Sequence, residues 1–170
     1  MESGGGFTSG SKNDITFNGL IERAQTEHQP DIIFAAINYR LGAFGFLAGP
    51  QFSKLGTPNA GLLDQRQAFQ WVQDKIHLFG GDKTQVTVAG NSAGGGSIVQ
   101  HMTAFGGTSK PAFQQAFVGS AAVLMSGSTT QEDQSFREYL QRANVSSLEE
   151  AREASSDTLM KANAAQISDA

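Results

Sequence analysis

Apolar positions along the chain follow two alternating patterns. Over residues 18–28, Leu20, Ile21 and Ala24 recur at helical spacing, and Pro30 lies just past the point where a helix would stop. Residues 31–39 form a nearly continuous apolar run, the pattern of a parallel strand covered on both faces. An irregular, aromatic-rich loop over 40–47 and a turn at 58–61 follow. Residues 62–76 return to helical spacing through Leu63, Phe69, Trp71, Val72 and Ile76, with Gly80 and Gly81 suited to its C-terminal cap. A strand is predicted over 85–89 and a helix over about 93–104. After Pro111 the chain turns and feeds a third parallel strand at 121–125. Strands alternating with helices point to an α/β class, a mostly parallel sheet with flanking helices.

The last quarter changes character. Phe136, Tyr139, Leu140 and Ala143 share one face of a helix over 131–143, residues 146–150 carry a capping-box pattern, and a further helix is predicted over 156–167. Residues 1–170 therefore read as a single domain whose segment 131–170 is helical.

Composition narrows the class. The chain has 170 residues, enough to bury a core, with 39% hydrophobic and 16% charged residues. A net charge of −4 without any Lys/Arg block gives no nucleic-acid footprint, and no apolar run reaches membrane-spanning length. There is no cysteine, which excludes thiolate metal sites and disulfides and leaves the redox compartment undecided. The first residues, Met1 to Gly4, form no secretory signal. Twenty glycines cluster at 4–10, 42–61 and 90–107, which suggests tight turns around a site.

The chemistry concentrates at Gly90-Asn91-Ser92-Ala93-Gly94, between the β-branched run 85–89 and the helical segment that follows. Strand, Gly-x-Ser-x-Gly, helix is the context of a nucleophile elbow, in which a strained turn thrusts the serine hydroxyl outward. Glycines two positions either side remove Cβ atoms that would collide with that turn. The Ala93 N–H, at the start of a helix, would face a developing oxyanion. Near the N-terminus, Gly4-Gly5-Gly6-Phe7 can turn several N–H groups toward one point, and no Gly-Lys-Ser/Thr follows to make it a phosphate loop.

Several motifs now stand in one order. They are Gly4-Gly5-Gly6-Phe7, Asn38-Tyr39-Arg40-Leu41-Gly42-Ala43-Phe44-Gly45-Phe46-Leu47, Asn59-Ala60-Gly61-Leu62-Leu63-Asp64-Gln65-Arg66, Phe79-Gly80-Gly81-Asp82 and the elbow itself. The set resembles the type-B carboxylesterase/lipase family, the cholinesterase-like branch of the α/β-hydrolase fold, and is closest to its fungal members. The likeness is specific from Gly4 to about Phe117 and looser beyond. It implies a partial α/β-hydrolase fold, Ser92 as nucleophile, and Gly5, Gly6 and Ala93 as backbone donors of an oxyanion hole. It implies a small-molecule ester or lipid substrate and no cofactor or metal; members of the family are often secreted. Arg40, Asp64, Arg66 and Asp82 match structural charge pairs. Phe7, Phe44 and Phe46 are candidates to line an apolar acyl or alcohol pocket, with core packing as the other reading of each. Two departures stand out: Asn91 where the family usually has Glu, and Ser3 where it often has His or another aromatic residue.

A serine hydrolase of this fold needs an acid and then a histidine after the serine. The three histidines are His28, His77 and His101, and the first two precede Ser92. His101 lies nine residues on in the same predicted helix, more than ~13 Å along the axis at ~1.5 Å per residue. All three read as structural or solvent-facing, and the family places its acid and histidine far beyond residue 170. The expectation is a serine carboxylesterase or lipase chain carrying nucleophile and oxyanion hole but neither triad acid nor histidine. The alternative is a catalytically inactive esterase-like fragment or binding module, and a peptidase or thioesterase would share the elbow.

Overall fold

The computed structural model describes residues 5–14, 16–27, 31–123 and 127–169. In chain order its regular elements are α1 (Asn18–Thr26), α2 (Gly42–Phe46), α3 (Ala60–Lys75), β1 (Thr87–Asn91), α4 (Ala93–Thr103), β2 (Gln115–Gly119), α5 (Thr129–Arg142), α6 (Leu148–Glu153) and α7 (Ser156–Ser168). The described residues fall into two compact units, Met1–Asn38 with Gln65–Leu124 and Tyr39–Asp64 with Met125–Ala170.

The first unit is built on a βαβ crossover. β1 and β2 pair in parallel, Thr87 opposite Gln115 through Asn91 opposite Gly119, and α4 packs on both strands. Parallel neighbours need such a crossover because a hairpin turn cannot join them. Val88 from the inner face of β1, Ile98 from α4 and Phe113 form the core, with Val86 and Phe69 against it. Phe69 meets Phe113 edge to face, centroids 5.7 Å apart, an arrangement that suits the ring quadrupoles. The Gln73 amide ties the unit further, donating to the carbonyls of Lys83 (3.1 Å) and Ala112 (3.0 Å).

The second unit is a helical cluster around Leu47, Phe136, Tyr139, Leu140, Ala143, Ala151 and Ala162, with Phe52 packed against Phe136. Its helices begin on caps that the sequence dictates. Ser128 and Gln131 form a full capping box at α5, Ser147 accepts from the Glu150 N–H at α6, and Ser155 from the Thr158 N–H at α7. The α6 cap differs slightly from the expected box, because the Glu150 carboxylate accepts from the Ser146 N–H (2.8 Å). That bond holds its pKa below the usual carboxylate value.

Three expectations are corrected. Residues 31–39 form no strand: the sheet among the described residues is two-stranded, Ile32 and Ile33 are exposed, and Phe34 instead stacks on Phe17. An apolar run becomes a strand only where a neighbouring strand continues its ladder, and among the described residues no strand pairs with this run. The second parallel strand is at Gln115–Gly119, six residues before the predicted 121–125; Ala121 to Val123 leave the ladder, and Leu124 and Met125 lie outside the described residues. Residues 42–46, expected as loop, close one helical turn, whose Ala43 N–H donates to Asn163 Oδ1 at 2.7 Å.

Candidate functional site

Strand β1 ends at Asn91 and α4 begins at Ala93, so Ser92 alone makes the turn. Its φ of 53° and ψ of −119° are those of a strained residue, a conformation costing on the order of 1–3 kcal/mol for a residue with a Cβ. Hydrogen bonds hold it there. The Ser92 N–H donates to the Gly119 carbonyl (2.9 Å), and the Ser92 carbonyl accepts from the Gly96 N–H (2.9 Å). Gly90 is pressed on the first turn of α4, where an added Cβ would lie 2.6 Å from the carbonyl carbon and oxygen of Gly94. This is the steric reason for the first glycine of the motif. Ser92 is half-buried and Ala93 fully buried at the N-terminus of α4, where the orphan N–H groups and the helix dipole favour negative charge.

The glycine loop is a tight left-handed turn. Gly5, Gly6 and Phe7 have φ of +89°, +60° and +65°. The Gly5 carbonyl accepts from the N–H groups of Thr8 (3.0 Å) and Ser9 (3.1 Å) and from the Thr8 hydroxyl (3.0 Å). A Cβ at Gly5 would run into the Ser9 carbonyl, so no other residue fits. Phe7 is buried and anchors the loop, while Gly5 and Gly6 are exposed. Among the described residues, neither Gly5 nor Gly6 donates its N–H to an acceptor. Ser3 and Gly4 lie outside the described residues. Of the other aromatic candidates, Phe44 and Phe46 belong to the second unit. Phe44 is 40% exposed on α2, and Phe46 meets Tyr39 edge to face (6.5 Å) and lies over Gly61.

Where described, one histidine is solvent-facing and one is buried in the structure; His28 lies outside the described residues. His77 is exposed in the short helical turn after α3. His101 is 2% exposed, its Nε2 2.7 Å from Gln65 Oε1, while Gln65 Nε2 donates to Ser97 Oγ at 3.1 Å. An amide oxygen only accepts, so this arrangement puts the imidazole proton on Nε2. Burial, aided by the charge of Arg66, lowers the His101 pKa to about 4, and the ring is neutral at pH 7. This buried chain of Gln65, Ser97 and His101 was not singled out from sequence. Its signal was the four-residue spacing of Ser97 and His101, which puts both on one helix face.

Of the expected charge pairs, Arg40 with Asp64 forms, whereas Arg66 and Asp82 make no ion pair among the described residues. Arg40 and Asp64 form a two-pronged pair, both bonds 2.7 Å, and Asp64 also accepts from the Arg40 N–H at 3.0 Å. The guanidinium holds the Asp64 carboxyl below its usual pKa. Arg66 donates to Ser109 (3.1 Å) and lies 5.1 Å from the Phe105 ring centroid. Asp82 caps a turn through Thr84, which lowers its pKa. Among the described residues no three His, Cys, Asp or Glu side chains group as metal ligands, and no helix is long and apolar enough to cross a membrane.

Comparison with known proteins places these features in a family. The sequence profile of the carboxylesterase family matches residues 3–170. Carboxylesterase patB of Aspergillus clavatus is 48% identical over 161 residues, which is 94% of this chain and 29% of that protein. A secreted lipase of Arthroderma benhamiae is 46% identical over 124 residues, 69% of this chain and 24% of that protein. The crystal structure of Aspergillus niger EstA superimposes with a TM-score of 0.85 at 35% identity, covering 95% of this chain and 31% of that one. The chain thus spans under a third of the length of these relatives.

Proposed function

Given that the chain belongs to the carboxylesterase family, we propose that it carries the nucleophilic half of a serine ester-hydrolase site. The Ser92 hydroxyl attacks the carbonyl carbon of a carboxylic ester, and the carbonyl π electrons move onto oxygen. The N–H groups of Gly5, Gly6 and Ala93 stabilise that oxyanion, a donor set of which each member contributes on the order of 3 kcal/mol in comparable sites. Collapse expels the alcohol, which takes up a proton, and leaves an ester on Ser92; water then releases the acid. The proton taken from Ser92 needs a base, and His101, neutral but committed to Gln65, is not placed for it. The reading therefore assigns acid and base to sequence beyond residue 170 and treats residues 1–170 as part of one α/β-hydrolase domain, its segment 131–170 a helical portion.

The observation that carries the reading is the backbone at Ser92: a serine with a Cβ is held in a costly conformation where glycine would be free of strain. Substrates are small esters or lipids. The Arthroderma relative is named a secreted lipase, which makes a secreted ester hydrolase the reading for localisation too. A second reading, an esterase-like binding module without turnover, is favoured by one fact: among the described residues the Ser92 hydroxyl makes no hydrogen bond to a base. Release of p-nitrophenol from a short p-nitrophenyl ester, by the protein that supplies the triad acid and base alongside residues 1–170, decides between them. The hydrolase reading expects release above the rate of Ser92→Ala; equal rates for both would leave the binding module.

A further inference from the structure

The segment after β2 does more than end a strand. Gly119, the last residue of β2, accepts the Ser92 N–H, and three residues on the Ala122 N–H donates back to the Ser92 carbonyl, both at 2.9 Å. Both polar groups of the strained peptide unit around Ser92 are thus gripped by one short piece of chain. Between the two grips the chain must reverse its hydrogen-bonding direction, and it does so at Ser120, whose φ is +43°, a region that a residue with a Cβ rarely enters. The facing side of α4 is stripped to allow this approach. A Cβ at Gly95 would lie 2.7 Å from the Gly119 carbonyl oxygen, and one at Gly96 would overlap the carbonyl oxygen of Ala122. Glycines in a helix interior weaken it, so Gly95 and Gly96 are there for close contact and not for the helix.

We propose that residues 119–122 form a backbone clasp that sets the geometry of Ser92, with Gly96 and Ser120 as positioning residues for the nucleophile. The clasp acts through main-chain hydrogen bonds alone and needs no side chain at 121 or 122. A Cβ at position 96 pushes the Ala122 carbonyl outward, lengthens the Ala122–Ser92 bond and lets the serine relax from its strained angles. Ser120 replaced by glycine keeps the left-handed turn, whereas valine there cannot adopt it without strain. This inference deepens the hydrolase reading and rests on it for one of two readouts.

The test uses the unaltered chain, Gly96→Ala, Ser120→Gly and Ser120→Val. The first readout is amide hydrogen exchange, which needs no activity. The Ser92 and Ala122 amides of the unaltered chain exchange more slowly than that of Gly106 in the exposed turn after α4. Gly96→Ala, although it strengthens the helix by propensity, speeds exchange at Ala122 by at least ~tenfold. The second readout is the saturation kinetics of a fluorophosphonate on Ser92, with the same substitutions made in the protein that supplies the triad acid and base alongside residues 1–170. In Gly96→Ala the maximal rate falls about a hundredfold, the effect of a misplacement on the order of 1 Å, while the half-saturating concentration stays put. A loss of folding would move both parameters and erase protection throughout. Ser120→Gly retains both readouts and Ser120→Val loses both, which decides the matter should Gly96→Ala fail to fold. If Ala122 and Ser92 exchange as fast as Gly106, or if Gly96→Ala changes neither readout, the clasp is wrong. If Ser92 takes up no fluorophosphonate even with the triad acid and base supplied, the hydrolase reading fails, and exchange alone still judges the clasp.

Discussion

His101 offers a perturbation whose size follows from its surroundings. The ring is buried between Gln65 and Phe69, its centroid 5.1 Å from that of Phe69. Its pKa falls to about 4 from an ordinary 6.5, first through burial and second through Arg66. Because the folded pKa lies below the unfolded one, the unfolded chain binds the proton first as pH drops. The stability of the first unit is therefore fully present above pH 6.5, declines between 6.5 and 4, and levels off below. The gap between the two pKa values, at ~1.36 kcal/mol per pH unit, corresponds to about 3 kcal/mol in all and about 2 by pH 5. Against a total of ~5–15 kcal/mol for a folded domain this is a large loss. Urea unfolding at pH 7.5, 6, 5 and 4.5, followed by circular dichroism, measures it in the unaltered chain and in His101→Gln, which keeps an N–H donor but does not titrate. The unaltered chain is expected to lose stability relative to the variant by that amount between pH 7.5 and 4.5. Parallel curves for the two would refute the assignment of a buried neutral histidine.

Other substitutions probe separate links. Ser92→Gly removes the strain at φ 53° and raises stability by ~1 kcal/mol or more in a denaturant titration, while ester turnover disappears. A stability loss there would show that the angle carries no strain. Gly90→Ala places a Cβ 2.6 Å from Gly94 backbone atoms and costs ~1–3 kcal/mol by overpacking, measured as a lower urea midpoint. Asp64→Asn breaks the partly exposed pair with Arg40 and costs about 1 kcal/mol at pH 7. Since the folded Asp64 pKa is depressed, that contribution is present above pH ~4 and vanishes as pH falls through the folded value, so the variant and its parent converge in acid. Asn163→Ala removes the acceptor of the Ala43 N–H and lowers stability by ~1 kcal/mol, read as a shift in the melting midpoint.

How far the sequence carried depends on whether a signal was local. The elbow was legible because strand, glycines and helix are contiguous, and the observed turn falls on Ser92 as expected. The helices of the second unit were legible from apolar spacing and from serines that cap them. The strand predicted at 31–39 failed because an apolar run reports a tendency to be covered, while a ladder requires a neighbour that sequence alone does not place. β2 was misplaced for the converse reason: Gln115, Ala116, Phe117 and Val118 are all exposed, so no burial pattern marks them. The turn of α2 contains Gly42 and Gly45, poor helix formers, and is held by Asn163, 120 residues away. The Gln65–Ser97–His101 chain joins two helices across 36 residues, and only the half within α4 left a trace in spacing.

The most direct test of the central claim is the site of covalent modification by a fluorophosphonate in the protein that supplies the triad acid and base alongside residues 1–170, mapped by peptide mass spectrometry. The account predicts one adduct, on the Ser92 peptide, lost in Ser92→Ala and slowed when Gly6 is replaced by a residue that distorts the glycine loop. An unmodified Ser92 under conditions that label other hydroxyls, or an adduct insensitive to the glycine loop, would contradict it.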